Sequence, residues 1–163
     1  MVSSEQQVSG TVRDLDGARL RVRPDRASCT SSGATHVLLN AALLARRSAT
    51  ARVIGTALTR AAGGQSHRRI AEALNTPVAT VRGRVRCARA TAVELWQLGV
   101  QAVVAFDRDA LPTVDRADPL AALDVLVAAA AAARRRFGHA VGPPWTAITV
   151  LTRGRLLARA PTG

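Results

Sequence analysis

The 163-residue chain has no lysine and no tyrosine, and aromatic residues make up only 2% of it. A core without aromatics must be assembled mainly from Ala, Val and Leu, drawn from the 48% of residues that are apolar. Alanine is the strongest helix former and a poor strand former, so this scarcity favours closely packed helices over a sheet sandwich. Cysteine is nearly absent: Cys29 and Cys87 are the two in the sequence, too few for a disulfide framework and in keeping with a reducing compartment. The first residues are polar and lack the apolar stretch of a signal peptide. The longest apolar run, residues 120 to 133, contains Asp124 and is too short to span a bilayer. A cytoplasmic protein with no membrane partner is therefore expected.

Acidic residues are also scarce. Eleven of them face 23 arginines, for a net charge of +12 and a pI near 11.8, which points to a polyanionic partner. Arginine suits bidentate contacts to phosphate and guanine. An Ala- and Arg-rich chain without lysine is equally the product of a GC-rich coding sequence, so the positions of the arginines are more informative than their identity. Residues 46 to 89 hold ten arginines against Glu72 alone, a net of +9. Composition bias by itself would not gather most of the excess charge into this one segment.

Within that segment lies SHRRIAEALNTPVATVRGRVR, residues 66 to 86. Ile70, Ala71 and Leu74 give a short amphipathic helix capped by Ser66, and Val81 and Val85 give the inward seam of a second. Asn75-Thr76-Pro77 supplies the turn: Asn tolerates the left-handed conformation, Thr76 is a candidate cap, and Pro77 suits the first helical position. The small Ala71 allows a close crossing. Upstream, Val53, Ile54, Ala57, Leu58 and Ala61 recur at helical spacing and Gly63-Gly64 ends that helix. Three helices in this order predict a helix-turn-helix, and hence a double-stranded DNA partner.

Around this motif, residues 1 to 10 read as disordered. Residues 11 to 23 alternate about Asp16-Gly17 as a two-residue hairpin, with Leu20 and Val22 on one face and Arg19, Arg21 and Arg23 on the other. A loop from Pro24 to Gly33 and a short apolar run from His36 to Leu39 follow. Past the motif, Ala88, Ala92, Leu95, Trp96 and Val103 extend the stripe of the third helix, so one long rod is expected, with Gly83 and Gly99 as its weak points. Asp118-Pro119 opens an Ala-rich helix that ends near Gly138, and a last helix from Pro144 carries Trp145, Ile148 and Leu151. The expected fold is mainly α: a three-helix helix-turn-helix domain with a short amino-terminal β-hairpin and a carboxy-terminal helical extension. The expected division is 1–45, a tail with a β element; 46–92, the helix-turn-helix; and 93–163, the helical region.

Two segments, CTSSGATHVLL (residues 29 to 39) and GQSHRRIAEALNTPVATVRGRV (residues 64 to 85), resemble a family of zinc-ribbon plus helix-turn-helix proteins related to the DNA-binding regions of insertion-sequence transposases. The second segment is also similar to the helix-turn-helix of homeodomain-like and resolvase-like domains, with residues 50 to 62 as the supporting first helix. The resemblance covers about 60 residues and implies a bacterial-type DNA-binding module. The chain departs from it in two places. The ribbon pattern implies two C-x-x-C knuckles, whereas this sequence has Cys29-x-x-Ser32 alone. Structural zinc needs four Cys or His ligands, which Cys29 and His36 cannot supply, so no metal and no cofactor are expected. Arg84 stands where such helices carry an aromatic or aliphatic residue.

A helical wheel centred on Val81 and Val85 turns Ala79, Gly83, Arg86 and Ala90 outward, with Thr80 and Arg82 beside them. Ala79, Arg82, Gly83 and Arg86 are the candidate base contacts, through guanine O6/N7 for the arginines and a thymine methyl for Ala79. Ser66, Arg68, Arg69, Thr80, Arg84 and Arg89 are the candidate phosphate contacts. The plain alternative for all of them is a solvated helical face. Asp107, Asp109, Asp115 and Asp118 invite comparison with a metal-dependent nuclease, but no nucleophile–base pair or phosphate loop accompanies them, and no reaction is expected. The function read from these residues is sequence-specific DNA binding, as a transcriptional regulator or a transposon-derived recognition module. The competing reading is a helical interaction module that pairs with a second copy through its carboxy-terminal helices, or a non-functional transposase-related relic.

Overall fold

In the computed structural model, which describes residues 10–38, 40–44 and 47–158, two hairpins precede six helices. Strand β1 (Gly10–Arg13) pairs antiparallel with β2 (Arg19–Val22), from Gly10 opposite Val22 to Arg13 opposite Arg19. Strand β3 (Asp25–Ser28) pairs with β4 (Thr35–Leu38) in a second, separate sheet. The helices are α1 (Ala51–Ala62), α2 (His67–Ala73), α3 (Val78–Ala90), α4 (Ala92–Phe106), α5 (Ala122–Phe137) and α6 (Pro144–Leu151). Of the stretch read as disordered, residues 1 to 9 lie outside the described residues, as does Leu39 of the apolar run, while Gly10 opens β1.

This corrects the expected fold in three ways. First, there are two hairpins rather than one. The first turns through a 3-10 segment, Leu15–Gly17, closed by Asp14 N–H donating to Ala18 O at 2.8 Å, not through two residues. The expected loop after Pro24 contains β3, whose polar Asp25, Arg26 and Ser28 carry no alternating apolar signal because every residue of that strand is exposed. Second, the long third rod is divided at Thr91, where φ is −110° and ψ 14° and the hydroxyl donates back to Cys87 O at 3.1 Å. Gly83 and Gly99, the suspected weak points, both lie inside intact helices.

Third, the carboxy-terminal helices are not an extension added to a three-helix domain. One buried cluster takes Val53, Ile54 and Leu58 from α1, Val85 and Ala88 from α3, Leu95 from α4, Leu123 and Leu126 from α5, Ile148 from α6, and Leu156 and Leu157 beyond it. A smaller cluster, Ala57, Ile70, Ala71 and Val81, seals the helix-turn-helix itself. The scarcity of aromatics is met by close approach. A Cβ on Gly99 would lie 3.0 Å from Val125 Cγ1, and one on Gly55 would lie 1.9 Å from Trp145 Cδ2. Helices α4 and α5, and α1 and α6, therefore touch through bare backbone. Asp118 caps the 3-10 turn Pro119–Ala121 that leads into α5, accepting from Leu120 N–H at 2.9 Å, and Phe106 and Phe137 close one end of the α4–α5 pair edge to face at 5.4 Å.

The first hairpin is joined to the helices by backbone hydrogen bonds. Arg13 N–H donates to Ser48 O, and Thr50 N–H donates to Arg13 O, both at 2.9 Å. Thr50 caps α1 by accepting from Val53 N–H at 3.4 Å, while its own hydroxyl donates to Asp14 Oδ1 at 2.8 Å. One threonine thus couples the start of α1 to the hairpin. Val12, beside Arg13 on β1, is buried.

Candidate nucleic-acid interface

The motif turn forms because Asn75 takes the left-handed conformation, φ +43°, which short polar side chains adopt more readily than branched ones. Asn75 N–H and Thr76 N–H return to Glu72 O and Ala71 O at 3.1 and 2.9 Å. Thr76 does not cap α3: its side chain is buried and its hydroxyl donates to Leu74 O at 2.9 Å. Pro77, with ψ 137°, stands just before α3 rather than at its first helical position. Ser66 does cap α2, accepting from Arg69 N–H at 3.4 Å.

With Val81 and Val85 buried against the supporting helices, the opposite side of α3 is left to solvent. Ala79, Arg82 and Arg86 are exposed there and Gly83 is partly so. Arg82 and Arg86 are one helical turn apart, and Gly83 between them carries no side chain to block approach. Nothing within 4 Å would meet a Cβ at that glycine. Ser66, Arg68, Arg69, Thr80 and Arg89 are also exposed. The helix–turn–helix therefore brings nine of the ten candidate contacts onto open surface.

Arg84 is the exception. It is only 7% exposed, and its Nη1 is buried without a hydrogen-bond partner. Burial lowers its pKa from the ordinary arginine value, and the like charges of Arg47 and Arg13 lower it further. Arg84 therefore does not share the open face of Arg82 and Arg86. Arg84 lies three residues after Val81 and four before Ala88, which places it on the inward stripe. Sequence reading also missed the role of Arg13, whose Nη1 donates to Asn75 O in the motif turn. No local pattern in the sequence signals that contact, because 62 residues separate the partners.

The remaining candidate groups have local roles. Asp107 accepts from Arg135 at 2.7 Å, and Asp115 accepts from Ala117 N–H at 2.8 Å. Cys29 and Cys87 are free thiols. Cys29 lies in the turn of the second hairpin with its Sγ 3.0 Å from Ser31 Oγ, and His36 is exposed on β4. Among the described residues no group of three or more His, Cys, Asp or Glu side chains is placed to hold a metal ion, and no helix is long and apolar enough to cross a membrane.

No protein family, no curated protein and no solved structure matches the chain.

Proposed function

We propose that the chain binds double-stranded DNA sequence-specifically through α2 and α3, without catalysing a reaction, as a transcriptional regulator or transposon-derived recognition module. The observation that carries this reading is the exposed strip Ala79, Arg82, Gly83 and Arg86 on a helix whose other side is anchored in two core clusters. A rigid helix with free guanidinium groups fits the major groove, where arginine pairs with guanine O6 and N7. Arg68 and Arg69 on α2 and Arg89 at the end of α3 would neutralise phosphates to either side. The alternative of pairing through the carboxy-terminal helices has less support. The apolar side chains of α5 are largely spent inside the chain, with ten of the residues from 120 to 133 buried.

The test is a selection from randomised duplexes followed by titration. Arg82→Ala combined with Arg86→Ala should erase sequence preference, at about 1–3 kcal/mol per lost bidentate contact, while leaving helicity unchanged. The exposed phosphate-contacting arginines are three, Arg68, Arg69 and Arg89, so log K should fall with log salt at a slope of about −3. Unchanged selectivity in the double variant, or no duplex binding at moderate ionic strength, would refute the reading.

A further inference from the structure

Between the first hairpin and the motif turn lies a cavity of about 350 Å³, lined by Thr11, Arg13, Arg19, Ser48, Thr80 and Arg84 among others. Three of these six side chains are guanidinium groups. Arg84 reaches the cavity from α3 with nine-tenths of its surface buried and its Nη1 lacking any acceptor. A buried, unpaired cation is costly, and the charges that act on Arg84 are those of Arg47 and Arg13, of its own sign. Among the described residues no carboxylate is bonded to it. Ser48 and Thr80 add hydroxyl donors, and Pro77, which also lines the cavity, marks the amino-terminal end of α3, where the helix dipole is positive. Every charged group that lines the space is a donor to an anion.

We propose that this cavity binds a phosphate group, with the buried Arg84 as its principal donor and Arg13 and Arg19 completing the charge. A carboxylate would offset only one of three converging positive charges, whereas a phosphate dianion offsets two and presents enough oxygens for several charge-assisted hydrogen bonds. Once filled, the site would bridge the hairpin, the connection at Ser48 and the motif turn, three segments now joined by a few hydrogen bonds. The phosphate has two possible sources, a free oxyanion or the backbone of a bound duplex. The site itself does not depend on the DNA-binding reading, because it is measured on the protein alone.

The experiment titrates the full chain with inorganic phosphate against chloride at equal ionic strength, by calorimetry and by unfolding temperature. Wild type should bind phosphate saturably. Arg84→Met should lose about ten- to a hundredfold in phosphate affinity, the loss of a hydrogen bond to a charged group, and should fold at least as well in chloride because an unsatisfied buried cation is gone. Arg19→Ala, at an exposed position, should weaken phosphate without touching the core and serves as the second variant. No saturable binding in wild type, or an equal rise in unfolding temperature for all three proteins as a general salt effect, would overturn the site. Adding duplex then assigns the source. Phosphate that competes with DNA, together with weaker duplex binding by Arg84→Met, identifies a backbone phosphate; duplex affinity that is unchanged or raised by phosphate identifies a free oxyanion. Loss of all duplex binding would end the DNA reading and leave the phosphate measurement standing.

Discussion

Replacing Gly55 by alanine should destabilise the protein, although an exposed helix would gain about 1 kcal/mol from the same change. Gly55 is a buried residue of α1, and a Cβ there would lie 1.9, 2.0 and 2.5 Å from Cδ2, Cε2 and Cε3 of Trp145. Carbon atoms in contact prefer about 3.5–4.0 Å, so the indole must retreat by more than 1 Å. Trp145 belongs to α6, which also carries Ile148 into the main cluster, so the helix must move with the ring or the ring must leave its rotamer. Overpacking of this kind costs roughly 1–3 kcal/mol, occasionally more. Set against the helix-propensity gain of about 1 kcal/mol, a net loss of about 1 kcal/mol is expected, equivalent to roughly 2–4 °C in Tm for a chain of this size.

The assay is urea or thermal unfolding followed by circular dichroism in a double-mutant cycle with Trp145→Ala. In that background the ring is gone, and Gly55→Ala should be neutral or stabilising by up to about 1 kcal/mol. A coupling of about 2 kcal/mol between the two sites would place α6 directly on the supporting helix of the motif. If Gly55→Ala stabilises wild type as much as it stabilises the Trp145→Ala protein, the close crossing of α1 and α6 is wrong.

Other outcomes follow from the same geometry. Leu58→Ala, which empties a fully buried position between α1 and its neighbours, should cost about 2–5 kcal/mol and weaken duplex binding only through the folded fraction. The Cys29 thiol is drawn down to about 6 by hydrogen bonds from the Ser31 and Ser32 side chains and then from their backbone N–H groups. Its alkylation rate should therefore level off above about pH 7, and Ser31→Ala with Ser32→Ala should move the inflection toward the ordinary thiol range near 8.5; an inflection unchanged by the double substitution would exclude this cause. Asp14 is partly desolvated, which raises its pKa, but the Thr50 hydroxyl, Leu15 N–H and Arg52 outweigh this and hold it below 3.8. Its contribution to stability is then present above the unfolded carboxylate pKa and is lost as pH falls through the lower folded value. The stability difference between wild type and Asp14→Asn should shrink in that acid window, and a difference that grows there would reverse the assignment.

Much of the helical part was legible from periodicity. Val53, Ile54, Ala57 and Leu58 announce α1, and Ile70, Ala71, Val81 and Val85 announce the crossed pair, because apolar spacing and turn chemistry are local properties that survive folding. Asn75 showed the turn for the same reason. The outward face of α3 follows from its inward one, so Arg82 and Arg86 could be placed before any coordinates. Strand β3 could not, since a fully exposed strand has no apolar face to leave a pattern. The break at Thr91 was hidden because the apolar stripe runs on through it.

Amino-acid order alone was enough to specify α1 and the crossed pair, where the Gly63-Gly64 and Asp118-Pro119 boundaries fall, and that positive charge gathers on one segment, since each depends on neighbours within a few residues. The sharing of one core by α1, α3, α5 and α6, the embrace of the motif turn by Arg13, and the burial of Arg84 beside other arginines came only with tertiary structure. Those depend on side chains that meet across long stretches of chain, 62 residues between Arg13 and Asn75, where packing and desolvation, rather than local propensity, decide which charge faces water and which is buried.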